Sequence, residues 1–157
     1  MITSLIEQGT TKIDLMMTEC PQPVPSSHRY IVVDDDRVNN LVSKFIIQRH
    51  NKDAEILLLT DPELALDEIY QISKDAADQR KTVIFLDINM PLMNGWEFLE
   101  QFKNLEMSTD KQFCIYMISS SIDPSDKIRA QDHLLISGFF SKPLNTEHLK
   151  IASSHFC

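Results

Sequence analysis

IVVDDD, from Ile31 to Asp36, runs a β-branched apolar stretch straight into three consecutive aspartates. Ile and Val suit a pleated, buried strand. Adjacent carboxylates repel each other and resist desolvation. A strand that ends this way either points its acids into water or holds something that offsets their charge. The rest of the chain decides between the two.

Outward from this stretch the pattern alternates. YIVVD is a short apolar strand, and RVNNLVSKFIIQRH follows as a helix with Val38, Leu41, Val42, Phe45 and Ile46 at helical spacing. AEILLLT is a second strand. Asp61 can cap the next helix, with Pro62 at its first position and Leu64, Leu66, Ile69 and Ile72 along it. SKDAADQRKT is a long polar surface loop, TVIFLD a third strand, GWEFLEQFKNL a helix and FCIYMISS a fourth strand. DPSDKIRAQDHLLISG repeats the Asp-Pro start and is closed by Gly138. FFS is a short fifth strand, and NTEHLKIASSHF a last helix opened by Asn145. Five strands and five helices in strict alternation, with near-continuous apolar strands, mean an α/β fold whose parallel sheet is covered on both faces.

The 157 residues suffice for one domain with a proper core. A net charge of −8 and the lack of a Lys/Arg cluster argue against nucleic acid as a partner. Cys20, Cys114 and Cys157 are scattered and odd in number, which fits free thiols in a reducing compartment, with Cys114 in the core. No apolar stretch has the length of a membrane span and no secretory signal opens the chain, so a cytoplasmic location is expected. Residues 1–27 end in PQPVPSS, with three prolines in five residues, and read as a flexible N-terminal extension closed by a stiff linker. The alternative is a short docking segment with Ile13, Leu15 and Met16 as its contacts. Residues 28–157 form the folded domain. The histidines show no metal spacing and read as surface or helix-end residues.

In open parallel α/β sheets, ligands bind at the carboxyl ends of the strands where strand order reverses. Asp34, Asp35 and Asp36 end the first strand, Asp87 the third, Ser119 and Ser120 the fourth, and Ser141 and Lys142 the fifth, just before Pro143. Several carboxylates with few other ligands suit a hard cation such as Mg²⁺, which would offset the repulsion in DDD and neutralise charge on a transferring phosphoryl group. One aspartate can act as nucleophile and form an acyl phosphate. A serine hydroxyl and a lysine ammonium can hold its oxygens.

With these residues in place, the chain from about Tyr30 to Phe156 resembles a receiver domain of the two-component response regulators. VVDDD resembles the acidic first-strand motif, FLDINMPLMNGWEFL the phosphoacceptor block, and MISSS and FFSKPL the fourth- and fifth-strand motifs. The resemblance implies a flavodoxin-like (βα)5 doubly wound sandwich with strand order 2-1-3-4-5. It implies phosphorylation of Asp87 by a histidine kinase or a histidine phosphotransfer protein. It implies Mg²⁺, with Mn²⁺ able to substitute, held by Asp34, Asp35, Asp87 and the backbone carbonyl of Asn89. Asp35 would be the more direct ligand and Asp34 would act partly through water. Ser119 stands at the switch hydroxyl, with Ser120 and Ser121 as rivals. Lys142 stands at the phosphoryl-binding lysine, its bond to Pro143 of a particular geometry, and Phe139 at the switch aromatic. Gly95 and Gly138 are candidates for unusual backbone angles. No output domain follows, so signalling would run through the fourth helix, fifth strand and fifth helix to another protein or a second copy, without nucleic acid or membrane. Such a switch catalyses only its own phosphorylation and slow hydrolysis.

Two other functions compete. An aspartyl-nucleophile Mg²⁺ phosphatase needs a second acid two residues after the nucleophile, where this chain has Asn89. A non-phosphorylated interaction module on the same fold would be marked by loss of a site residue, and none is lost.

Overall fold

A computed structural model describes residues 28–107, 113–121 and 123–155; the extension read over residues 1–27 lies outside them. The elements are β1 (His28–Val33), α1 (Arg37–His50), β2 (Glu55–Leu59), α2 (Pro62–Lys74), β3 (Lys81–Asp87), α3 (Gly95–Asn104), β4 (Phe113–Ser119), α4 (Pro124–Asp132), β5 (Ile136–Ser141) and α5 (Thr146–Ser154). The strands form one parallel sheet in the order β2-β1-β3-β4-β5. This is the flavodoxin-like topology implied by the sequence. Strand order reverses between β1 and β3, so the ends of those two strands flank the natural binding crevice.

Alternation along the strands divides the core. Ile31, Val33, Ile84, Leu86 and Met117 face a layer with Leu66 and Ile69 of α2 and Phe98 and Leu99 of α3. Tyr30, Val32, Phe85, Tyr116 and Ile118 face the other layer, with Ile47 of α1 and Leu149 and Ala152 of α5. Each helix starts on an Asp or Asn whose side chain accepts a first-turn amide: Asp36, Asp61, Asn94, Asp123 and Asn145.

The structure corrects some readings of the sequence and refines others. Of the helically spaced apolar residues of α1, only Ile46 packs against the core, half-buried. Val38, Leu41 and Phe45 are exposed, while Asn40, Ser43 and Ile47 are buried. On the buried face the Asn40 side-chain amide donates to the Asp34 carbonyl at 2.9 Å. Leu64 of α2 is also exposed.

Neither glycine has a positive φ, and Gly138 lies within β5 rather than closing α4. Both are required for space. A Cβ on Gly95 would stand 2.7 Å from the Asp87 carbonyl oxygen, and one on Gly138 would stand 3.0 Å from the Tyr116 ring.

The polar segment before β3 is tied down. Arg29 at the start of β1 is only 3% exposed, and its guanidinium reaches Glu55 (2.8 Å) and Asp78 (2.5 Å). Arg80 joins the same two acids. A buried guanidinium needs counter-charges, and the segment supplies one of them.

His50 and His155 lie at helix ends, as read, and His148 is half-buried within α5. His50 pairs with Ser153 at 2.9 Å, His148 stacks on Phe140 at 4.4 Å, and His155 pairs with Tyr116. Cys114 is half-buried rather than fully in the core.

Candidate functional site

β1 delivers Asp34 into the crevice, 1% exposed. Its backbone is pinned by its own amide donating to the Leu59 carbonyl at 3.1 Å and by the Asn40 amide on its carbonyl. Its Oδ1 accepts the Asp36 amide at 2.9 Å. Asp35 is exposed on the same turn, and Asp36 is spent on capping α1, its carboxylate accepting from Val38. The three aspartates of DDD therefore split into a buried, an open and a structural residue.

β3 ends on Asp87, 4% exposed, whose Oδ1 accepts the Asn89 amide at 3.2 Å. β5 ends beside Lys142, whose amide donates to the Ser119 carbonyl at 2.8 Å. The Lys142 ammonium lies 2.5 Å from Asp34 Oδ2 and 3.1 Å from Asp87 Oδ2. The Lys142–Pro143 peptide is cis.

Ser119, at the end of β4, is fully buried, whereas Ser120 and Ser121 are exposed. Its hydroxyl donates to the Ser121 carbonyl at 2.8 Å and accepts the Ser121 amide at 3.1 Å. The Asn89 side-chain amide also reaches Ser119 Oγ, at 3.4 Å, so Asn89 touches both Asp87 and Ser119. Phe139 packs half-buried against the α2–α3 layer, while Phe140 turns to the opposite one.

The electrostatics follow from burial. Desolvation pushes the Asp87 carboxyl above its ordinary value; the Lys142 ammonium pulls it back, and Asp34 adds to the rise. One carboxylate oxygen each from Asp34, Asp35 and Asp87 fall within 4.8 Å of one another. An all-oxygen, all-anionic donor set of that size fits a hard divalent cation of the Mg²⁺ type. The Asn89 amide on Asp87 holds the Asn89 backbone at the rim of the same cluster.

Reading the sequence alone missed two supports. Asn40 holds the acidic turn from inside α1. Trp96 of α3 donates its indole N–H to Asp126 of α4 at 3.0 Å, with the Arg129 guanidinium 4.1 Å from its ring centre. Asn40 follows DDD closely enough to raise suspicion; the Trp96 contact spans 30 residues and leaves no local signal.

A family model described as response regulator receiver domain matches residues 30–153. Among curated proteins the chain is similar to the sensory/regulatory protein RpfC of Xanthomonas campestris pv. campestris, 25% identical over 118 residues. That match covers 75% of this chain and only 15% of the relative's length. Among solved structures it is similar to a two-component response regulator from Cytophaga hutchinsonii. The identity is 27% and the TM-score 0.72, covering 82% of this chain and 96% of that one. A two-component response regulator from Legionella pneumophila is 25% identical with TM-score 0.64, covering 80% and 95%. A response regulator receiver protein from Dyadobacter fermentans, 24% identical with TM-score 0.70 over 82% and 97%, shares the fold. No helix among the described residues is long and apolar enough to cross a membrane.

Proposed function

Because the chain belongs to the response regulator receiver domain family, we propose that it is a cytoplasmic phosphorylation switch that accepts a phosphoryl group on Asp87. The observation that carries this is the convergence of Lys142 on both Asp34 and Asp87 at the strand ends. Two buried carboxylates and an ammonium in one crevice support the reading of Asp87 as nucleophile, Lys142 as phosphate-binding cation and Asp34 as second acid.

The donor is a phosphohistidine on a histidine kinase or phosphotransfer protein. An Asp87 oxygen attacks phosphorus, the P–N bond breaks, and the departing imidazole keeps the electron pair and takes a proton from water. Lys142 is placed to hold a phosphoryl oxygen once the acyl phosphate forms. Asp34 and Asp35 are the residues that would bind Mg²⁺, which supplies charge neutralisation on the phosphoryl group when present. The Ser119 hydroxyl then exchanges its Ser121 partners for a phosphoryl oxygen, and Phe139 follows inward. The face of α4, β5 and α5 carries the change to a downstream protein or a second copy. Asn89 is an amide with no ionisable proton, so the position two residues after Asp87 lacks the acid a phosphatase needs to protonate a leaving alcohol.

Intact-mass measurement after exposure to acetyl phosphate and Mg²⁺ tests the assignment. One added phosphoryl mass is expected, absent in Asp87→Asn. Undiminished labelling of the variant would overturn it.

A further inference from the structure

Helix α4 is gathered around one indole. Asp126, Arg129 and the capping residue His133 follow each other at spacings of three and four, which puts them on a single helical face. All three meet Trp96 of α3. The indole N–H donates to the Asp126 carboxylate at 3.0 Å, the Arg129 guanidinium lies 4.1 Å from the ring centre, and the His133 ring is centred 6.3 Å away. Little else holds the helix. It buries only Ala130, and on its β5 side it opens on a groove of about 260 Å³ lined by Ala130, Ile136, Gly138 and Phe139. Close packing is what fixes an element in one place, and α4 has little of it. Where α4 stands against β5 is therefore set largely by Trp96.

The indole is anchored at its other end to the loop after Asp87. Trp96 sits in the first turn of α3, and that turn is fixed to the end of β3. The Gly95 amide donates to the Ile88 carbonyl at 2.9 Å. A Cβ on Gly95 would stand 2.7 Å from the Asp87 carbonyl oxygen, so backbone meets backbone there with nothing between. Reciprocal capping stiffens the turn. The Asn94 side chain accepts the Trp96 and Glu97 amides, each at 2.9 Å, and the Glu97 carboxylate accepts the Asn94 amide at 2.9 Å. A turn tied this way moves as a unit, so a shift of the loop carries the indole with it. None of these contacts involves Ser119, whose hydroxyl meets Ser121 and Asn89.

We propose that Trp96 is a positioning residue that couples the loop after Asp87 to α4, along a path separate from Ser119 and Phe139. A phosphoryl group on Asp87 displaces the loop, the first turn of α3 moves with it, and the indole draws Asp126 and Arg129 along. The groove beside β5 takes up the movement. The inference rests on the reading of Asp87 as phosphoacceptor. It adds a second route, by which α4 responds even where the Ser119 hydroxyl is missing.

The test is NMR of the full chain with and without beryllofluoride and Mg²⁺, which together mimic a phosphoryl group. In wild type, the amides of residues 88–90 and 125–131 should both shift. In Ser119→Ala the α4 shifts should keep most of their size. In Trp96→Phe and in Asp126→Ala they should shrink severalfold, while those of residues 88–90 and of Phe139 persist. Asp126→Asn keeps an acceptor oxygen for the indole N–H and should restore them. Asp126→Ala cuts the same bond from the surface helix should Trp96→Phe fail to fold. With the shifts at 88–90 present, three results overturn the proposal and leave the Asp87 reading standing: α4 shifts undiminished in Asp126→Ala, α4 shifts abolished in Ser119→Ala, or an Asp126→Asn as deficient as Asp126→Ala. Absence of any shift at 88–90 in wild type overturns the Asp87 reading, and the proposal with it.

Discussion

Lys142 and Asp34 meet across two intervening strands. The ammonium after β5 reaches Asp34 Oδ2 at 2.5 Å, although β3 and β4 lie between β5 and β1. Removing it strands two buried acids. Lys142→Met is expected to lose about 1–3 kcal/mol of stability, as for a buried charged partner left unpaired. Adding Asp34→Asn should recover more than half of the loss. Urea unfolding of the single and double variants gives the coupling; losses that simply add would show independent groups.

Mg²⁺ should raise the melting temperature of the unphosphorylated protein. A ligand that binds only the folded state contributes about 2.7 kcal/mol at roughly 100 times its Kd. Asp35 is the open acid of the cluster, so Asp35→Asn should blunt the response with little effect on metal-free stability. A wild-type transition indifferent to Mg²⁺ would remove the cation from the site.

Gly95→Ala should destabilise the domain more than Gly138→Ala. The new methyl at Gly95 meets the Asp87 carbonyl oxygen at 2.7 Å and Met117 Cε at 2.9 Å, and the backbone carbonyl cannot swing away. Overpacking of this kind costs about 1–3 kcal/mol. At Gly138 the nearest atoms belong to the Tyr116 ring, 3.0 Å away. Thermal unfolding of the two variants ranks them.

α4 should loosen when its tie to Trp96 is cut. The helix buries only Ala130, so the Trp96–Asp126 bond and the Arg129 contact are much of what holds it. Asp126→Ala should speed amide exchange across residues 124–132 at least severalfold and leave β3 unchanged. Uniform acceleration through the domain would point to global destabilisation instead.

The charged cluster at the start of the sheet should give stability an acid limb. Hydrogen bonds from Arg80, and then Arg29, hold the Asp78 carboxyl far below the ordinary carboxylate range against the opposing pull of burial. Its folded value is depressed, so its contribution is complete above the unfolded value of about 3.9. That contribution is lost as pH falls from there toward the folded value. Asp78→Asn should therefore be less stable than wild type at neutral pH. The gap should close as pH drops below about 4. A gap independent of pH in denaturant titrations would count against the ionic origin.

The sheet and its crevice were legible because strand ends are written locally. An apolar run followed by Asp87 or by Lys142-Pro143 states both the element and its terminus. The caps were legible for the same reason, with Asp61 and Asp123 each followed by proline. What escaped depended on partners distant in sequence. Spacing alone places Val38, Leu41 and Phe45 on one helix face, but it cannot say which face turns inward. The inward face carries Asn40, Ser43 and Ile47, with Asn40 bonded to the Asp34 carbonyl. Arg29, Glu55, Asp78 and Arg80 come from separate segments, and only the folded sheet makes them neighbours. The glycines were misjudged because close approach to Asp87 or Tyr116 leaves no mark on the glycine's own surroundings in the sequence.

The two bonds that the Ser119 hydroxyl makes to the Ser121 backbone act as a latch. Any excursion of that oxygen toward the crevice breaks both before it gains anything. At about 1 kcal/mol per bond, such an excursion is visited by roughly one molecule in thirty when nothing in the crevice attracts it. In the proposed switch, that pair of contacts would keep firing without phosphorylation scarce. If Ser119 has the proposed role, loosening the Ser121 turn would raise background signalling without touching Asp87, and tightening it would demand a stronger stimulus for the same response.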